Sequence, residues 1–453
     1  MSLHSASLRL NPFDRAPGDR GGIPILPGRL PGVGHLIQVR MALPDLLAHA
    51  KLTVGPLFFL DMPSPMGRAL DLVPLHGDYT ALLRSSSLSN SIVRDNAQAL
   101  FGESMIVQDG DEHHRQRLPW SAPFTPRGLA GGEVGGLVAE IVARHIEAWV
   151  RIGRVRVLDV TQHLTLELIF RLLGSPSGDL AEWRAQYRRL LLVVARLPVE
   201  FPGSPASRGE RARTWIDARI DELLARRLCG GADGSFLASL AAASALGSRS
   251  MRDDHLRDNL KLLFLAGHET TATAMSWLLV ELGRSAELFR RLQAEAEHVG
   301  GLPSSPEDTR RFPFATSLVR EVVRLYPPVP LITRVVREDL EILGHTLARG
   351  TRVTVPLVEA GRDPSRYPAP LRFDPDRWRG RNVTPASSET LAFGAGPHFC
   401  LGYHLAILQL VTFAVAVALT CKARGKRPTH PSRRPRSVWF PVAAPIGASI
   451  RFD

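Results

Sequence analysis

Cysteine is scarce, with Cys229, Cys400 and Cys421 alone in 453 residues. So small and odd a number builds no disulfide framework; it fits a reducing compartment, and any special cysteine works alone. Long apolar runs are missing too. Runs such as 190–195 and 415–419 fall far short of the roughly 20 residues of a membrane span, so no membrane anchor is expected. The first forty residues hold Arg9, Asp14, Arg15, Asp19, Arg20 and Arg29 among prolines, which leaves no apolar core for a secretory signal. A cytoplasmic protein is expected. Lysine is nearly absent, at four of 56 basic residues, and arginine carries the net charge of +12. No block of like charges marks a nucleic-acid tail, so neither DNA nor RNA is an expected partner. A basic face that attracts an acidic protein is the better use of this charge.

What is present is globular: 44% hydrophobic and 22% charged residues, with a mean hydropathy of -0.02. No repeat or long Ser/Gly linker divides the chain. It reads as an extended Pro/Gly-rich segment over 1–40 and one domain over 41–453, β-rich to about 110 and helical after it. Strands are expected at 57–61 and 68–74, and helices at 129–150, 164–173, 180–197 and 208–228. A small strand region follows over 335–355 around the turn Leu343-Gly344-His345, and a closing hairpin over 437–452. The fold class is mainly α with small β-sheets.

Residues 254–284 contain no proline and would span about 46 Å as one helix. Its middle is apolar on nearly every face, which places it in the interior. Gly267, His268 and Glu269 sit inside it, where a glycine costs about 1 kcal/mol against alanine and a carboxylate is expensive to desolvate. Such misfits point to function. A second concentration of chemistry is Phe393-Gly394-Ala395-Gly396-Pro397-His398-Phe399-Cys400-Leu401-Gly402, followed at once by an apolar helix. At a helix start, free N–H groups and the macrodipole are expected to favour a thiolate, and the glycines let the backbone approach a flat ligand.

This loop, Phe-x-x-Gly-x-x-x-Cys-x-Gly, resembles the heme-binding loop of the cytochrome P450 family. Three further segments resemble that family in the right order: Ala266-Gly267-His268-Glu269-Thr270-Thr271, Glu321-Val322-Val323-Arg324, and Phe373-Asp374-Pro375-Asp376-Arg377-Trp378, where Trp378 stands in place of the family's Phe. Together they cover the chain from about residue 24 to its end. The resemblance implies the P450 fold, with heme b (iron protoporphyrin IX) between the long central helix and the Cys400 loop. It implies Cys400 as proximal iron ligand, Phe393 beside the heme, and Ala266 and Gly394 as further heme contacts. Glu321, Arg324 and Arg377 are the implied buried triad, and His113, Arg117, Arg334 and His398 the cations for the heme propionates. His114 and Arg115 are expected to face water, and His268 to point away from iron.

The implied reaction is O2-dependent monooxygenation of a small apolar substrate, with Glu269 and Thr270 delivering protons and Gly267 permitting a local helix distortion. Its alternatives are a peroxide-driven peroxygenase and a heme-thiolate sensor without turnover. No flavin or nucleotide loop is visible, so electrons are expected from a ferredoxin or flavodoxin with its NAD(P)H-dependent reductase. Arg115, Arg127, Lys422, Arg424 and Lys426 are candidate docking cations, and a monomer is expected. The pocket segments, about 89–107, 191–200 and 331–333, are apolar and leave terpenoid, fatty acid, steroid and polyketide substrates open, for hydroxylation or epoxidation.

Overall fold

The computed structural model describes residues 22–64, 67–131, 134–173, 180–190, 204–230, 253–385, 387–431, 435–439 and 442–453. The chain enters extended, with Ile25 bridged to Phe59, and turns into α1 (Leu36–Thr53), kinked at Ala42 ahead of Pro44. Strands β1 (Leu57–Ser64) and β2 (Gly67–Pro74) pair as an antiparallel hairpin from Leu57 opposite Pro74 to Ser64 opposite Gly67. Helix α2 (Tyr79–Arg84) starts on the Asp78 carboxylate, which accepts the Thr80 and Ala81 N–H groups. Strand β3 (Leu88–Ser89) and helices α3 (Ser91–Phe101), α4 (Gly110–Ser121), α5 (Pro126–Gly131) and α6 (Val134–Ile152) follow. Beyond β4 (Arg154–Arg156) the chain is helical, through α7 (Val157–Leu172), α8 (Leu180–Leu190), α9 (Pro205–Gly230), α10 (Asp253–Arg284), α11 (Ala286–Val299) and α12 (Pro313–Leu325).

Strands β5 (Leu331–Val336), β6 (Leu340–Ile342), β7 (His345–Leu347) and β8 (Arg352–Pro356) lead to the short α13 (Leu357–Ala360) and then to α14 (Tyr403–Ala423). Four short strands end the chain: β9 (Pro428–Thr429), β10 (Ser437–Val438), β11 (Ala444–Pro445) and β12 (Ser449–Phe452). The main sheet has the order β1-β2-β8-β5-β3, so strands far apart in sequence meet on it. The β6–β7 hairpin turns through Leu343 and Gly344, both at positive φ (51° and 78°), the signature of a tight two-residue turn.

The helix expected over 129–150 corresponds to α5 and α6, with residues 132 and 133 outside the described residues. Gly135 is pressed against neighbouring backbone: a Cβ there would lie 1.7 Å from the Ser304 carbonyl oxygen. The expected closing hairpin is limited to β10 and β11, whereas β12 leaves it to pair with β4 and β9. Burial of Ile450 and Phe452 against the core sets that choice, since it removes apolar surface from water. The end of the expected 180–197 helix lies outside the described residues.

Helix α10 crosses the core, buried from Thr271 to Leu282. It is unbroken at Gly267, so the expected local distortion is absent; that glycine instead admits α7, since a Cβ there would touch Ile169 at 3.3 Å. Helix α14 is apolar and long enough to cross a membrane by composition alone, but 72% of its most apolar window is buried in the protein.

The segment after α13 is tied down by one carboxylate. Glu321, fully buried on α12, accepts from Arg324 Nη2 and Nε at 2.7 and 2.8 Å, from Arg377 Nε at 3.0 Å, from the Trp378 indole N–H at 2.9 Å and from the Asp374 N–H at 2.8 Å. Arg324 spends its remaining donors on the carbonyls of Gly361, Pro370 and Arg372. Trp378 thus supplies a bond that phenylalanine at this position could not. Glu321→Gln is expected to cost about 3 to 5 kcal/mol in urea unfolding by stranding buried cations, and Trp378→Phe about 1 kcal/mol. The surface control Glu287→Gln, in an exposed pair with Arg290, should stay within about 0.5 kcal/mol. Equal unfolding of Glu321→Gln and the control would show that the cluster is not the anchor.

Candidate functional site

Two glycines shape the loop before α14. Gly394 and Gly396 take φ of 79° and 69°, and a Cβ on Gly396 would lie 2.6 Å from the Leu83 carbonyl oxygen at the end of α2. The Cys400 N–H donates to the Phe393 carbonyl at 2.9 Å and closes the loop on itself. Phe393 is half-buried, its ring edge-on to Tyr403 with centroids 4.8 Å apart. Cys400 lies three residues before α14 rather than in its first turn. Burial pushes its thiol up, against the Gly402 N–H and the Arg117 charge. The expectation that the helix start alone favours a thiolate is therefore corrected: desolvation outweighs the local donors.

The expected cations meet beside this loop. Arg117 on α4 donates to the Phe399 carbonyl at 2.6 Å, and the rings of His113 and His398 lie 4.1 Å apart. Burial, reinforced by the charges of His398 and Arg117, pushes His113 down to about 3, and its Nε2 is buried without a hydrogen-bond partner. Arg334 on β5 is buried, which lowers it to about 10 against the pull of Asp109; its Nη1 donates to the Thr333 carbonyl at 3.0 Å. Among the described residues neither Arg117 nor Arg334 makes an ion pair with a carboxylate. An orphaned imidazole nitrogen, the buried Arg334 guanidinium and the half-buried Arg117 guanidinium, both in need of an anion, fit the propionates of a heme.

Asp109 went unread in the sequence, although the Asp-Gly step four residues before His113 was a usable signal. Its carboxylate accepts from Ser89 Oγ at 2.5 Å, the Asn90 N–H at 2.9 Å and Arg337 at 3.1 Å, and lies 3.4 Å from His398 Nε2. Burial opposes its charge, but His398, Ser89, Asn90 and Arg337 outweigh burial and hold it well below the usual carboxylate range. An anion thus stands behind the cluster of cations and shares His398 with it.

On α10, Ala266 is exposed and Gly267 and Thr270 half-buried, although Phe264, Leu265 and residues 271–282 are buried, which marks the face that opens on the site. Thr270 Oγ1 donates to the Ala266 carbonyl at 2.5 Å. Glu269 faces the other way, where Gln162 Nε2 on α7 donates to its two oxygens at 3.0 and 3.3 Å. Arg184 on α8 in turn reaches Gln162 Oε1 at 3.2 Å and Asp159, half exposed, at 2.7 Å. Glu269 and Thr270, neighbours in sequence, are not brought together, because consecutive helical residues point about 100° apart. The partner Gln162 left no trace in the sequence. The ring of His268 is buried 6.4 Å from that of Tyr187, with neither nitrogen hydrogen-bonded among the described residues and Nδ1 3.6 Å from Glu269 Oε1.

Of the other expected groups, Leu331, Ile332 and Thr333 are half-buried on β5, and residues 191–200 lie outside the described residues. His114 and Arg115 are exposed, as is Arg127. The remaining docking candidates are partnered: Arg115 with Glu112, Lys422 with Glu297, Arg424 with Glu147, and Lys426 with the Phe452 carbonyl.

A match to the cytochrome P450 family spans residues 208–434. The chain is 38% identical over 419 residues to cytochrome P450 BJ-4 of Bradyrhizobium diazoefficiens, which covers 92% of this chain and 93% of that protein. It is 29% identical over 352 residues to the cyclooctat-9-en-7-ol 5-monooxygenase of Streptomyces melanosporofaciens, covering 73% of this chain and 75% of the relative. Among solved structures it is similar to a retinoic acid-bound cyanobacterial CYP120A1, with a TM-score of 0.82 at 21% identity over 97% of this chain and 98% of that one. A myxobacterial P450 in complex with myristic acid matches with a TM-score of 0.73 at 24% identity, over 92% of this chain and 98% of that one.

Asp109→Asn should destabilise the protein by about 1 to 3 kcal/mol at pH 7, because Ser89, Asn90, Arg337 and His398 lose a charged acceptor. A carboxylate depressed on folding stabilises above its unfolded pKa of about 3.9 and loses that contribution as pH falls toward its folded value. The gap between wild type and variant in urea unfolding should therefore narrow below about pH 4. A gap that widens in acid would contradict the assigned charge.

Proposed function

The chain belongs to the cytochrome P450 family and is a heme-thiolate monooxygenase with heme b as cofactor, and on that premise we propose that Cys400 is its axial ligand and an apolar organic molecule its substrate. The observation that carries the assignment is the closed Cys400 loop beside the anion-seeking set of buried His113 and Arg334 and half-buried Arg117 and His398. When bound, the thiolate-ligated heme supplies O2 activation and favours O–O cleavage. Because burial favours the thiol, deprotonation of Cys400 accompanies metal binding. Arg117 tethers α4 to the loop through the Phe399 carbonyl and faces the propionates with Arg334 and His113. Asp109 fixes the orientation of His398.

Proton delivery is divided between two faces of α10. Asp159, Arg184 and Gln162 form a polar line from the surface that holds Glu269 as an acceptor, and on turning away from Gln162 Glu269 takes a proton from solvent water and passes it toward the Thr270 hydroxyl. Thr270, already bonded to the Ala266 carbonyl, offers its oxygen as an acceptor there. This pair supports O2-driven turnover over a peroxygenase. The partnering of Glu269 by Gln162 disfavours a sensor without turnover. Leu331, Ile332 and Ala266 supply apolar lining, which accords with terpenoid or fatty-acyl substrates and with the monooxygenase and myristic acid named for relatives. Electrons come from a ferredoxin or flavodoxin with its NAD(P)H reductase, and the cytoplasm is the compartment in which those partners meet it.

The reduced carbon monoxide spectrum of Cys400→Ala should lose its thiolate-type band, and retention would refute the ligand. Thr270→Ala should keep heme and substrate binding while NADPH consumption yields hydrogen peroxide in place of product. Glu269→Gln should slow turnover by about 100-fold or more, the range for a positioned acid–base group. Unchanged coupling of NADPH to product in Thr270→Ala would return that residue to a structural role.

A further inference from the structure

Outside the heme-binding residues, α6 and α7 bring together three side chains with metal-binding chemistry. His163 and Glu167 stand four residues apart on α7, hence on one face of the helix, and His145 reaches them from α6. One donor atom from each lies within 4.8 Å of the other two. His145 Nε2 and Glu167 Oε2 are 2.8 Å apart, and the rings of His145 and His163 are 5.5 Å apart, edge to face. His145 and Glu167 are buried while His163 is exposed, so the set has a fixed floor and an accessible third arm.

We propose that His145, His163 and Glu167 bind one divalent transition cation of the zinc class, with water in the fourth position. Two imidazoles and one carboxylate are a zinc-type donor set. The ion would sit between His145 Nε2 and Glu167 Oε2, the imidazole proton moving to Nδ1, and His163 would close over it from solvent. Among the described residues the opposing charge that faces the set is Arg144, which pairs with Glu167 Oε1. Its side chain is 53% exposed, so it is free to turn outward and leave Oε2 to the metal. A purely structural His145–Glu167 pair needs no second imidazole beside it; a metal site does.

The test titrates zinc chloride into the heme-loaded full chain, stripped of metal by a chelator, near pH 7.5. Calorimetry should give one equivalent, and zinc-edge X-ray absorption a shell of nitrogen and oxygen at about 2.0 to 2.2 Å with no sulfur. His163→Ala, at an exposed position, should weaken binding by more than the roughly 10- to 100-fold that loss of an outer partner costs, and His163→Cys should restore it. Arg144→Gln should tighten binding, and acidification to about pH 5.5 should weaken it as the imidazoles take up protons. The zinc-dependent rise in unfolding temperature should appear in wild type and vanish in His163→Ala. No binding at micromolar zinc, a sulfur in the wild-type shell, or equal affinity in wild type and His163→Ala would overturn the proposal.

Discussion

Removing a carboxylate from water is tolerable only when its lone pairs are met, and Glu321 meets that condition with five donors from Arg324, Arg377, Trp378 and Asp374. The cluster joins α12 to the 361–378 segment, from which the chain runs on into the Cys400 loop. The loop is short of long regular elements, and its shape rests on two left-handed glycines and on backbone hydrogen bonds to the carbonyls of Leu391, Phe393 and Gly396. Its position depends on what anchors the chain before it and on α14 behind it. A charged cluster suits this task because its geometry is specific, whereas apolar packing tolerates sliding.

Electrostatics around the cofactor site follows a different rule. Among the described residues the buried Arg334 and the half-buried Arg117 have no carboxylate partner, a costly arrangement for the protein alone and one that an anion would relieve. Asp109 limits that cost. It offsets part of the positive charge and orients His398, while its own bonds to Ser89, Asn90 and Arg337 keep it turned away from the cations that face the ligand. The cofactor edge is thus a layered charge arrangement, with cations in front and an anion behind.

The central helix separates two functions by its geometry. One face carries Ala266 and Thr270 toward the site, and the next carries Glu269 to Gln162 on α7. Helix α7 packs closely because Gly267 has no side chain, and it bonds through Thr165 to the His268 carbonyl and through Thr161 to Ser276. The same helix presents His163 and Glu167 on another side. Its placement therefore governs both the partner of Glu269 and the three-donor cluster with His145.

The sequence by itself determined the mainly helical class, the long internal helix and the cysteine loop. Each of these is carried by local spacing: a 3.6-residue period, positive-φ glycines, or a motif within ten residues whose chain order is also its spatial order. Only the tertiary structure decided that β12 leaves its hairpin for β4 and β9, that Trp378 bonds Glu321, and that Asp109 meets a histidine 289 residues away. It likewise decided that Glu269 turns to Gln162, 107 residues earlier, instead of to adjacent Thr270. Partners so distant share no periodicity, and neighbours on a helix point apart; which side chains meet is settled by how helices pack.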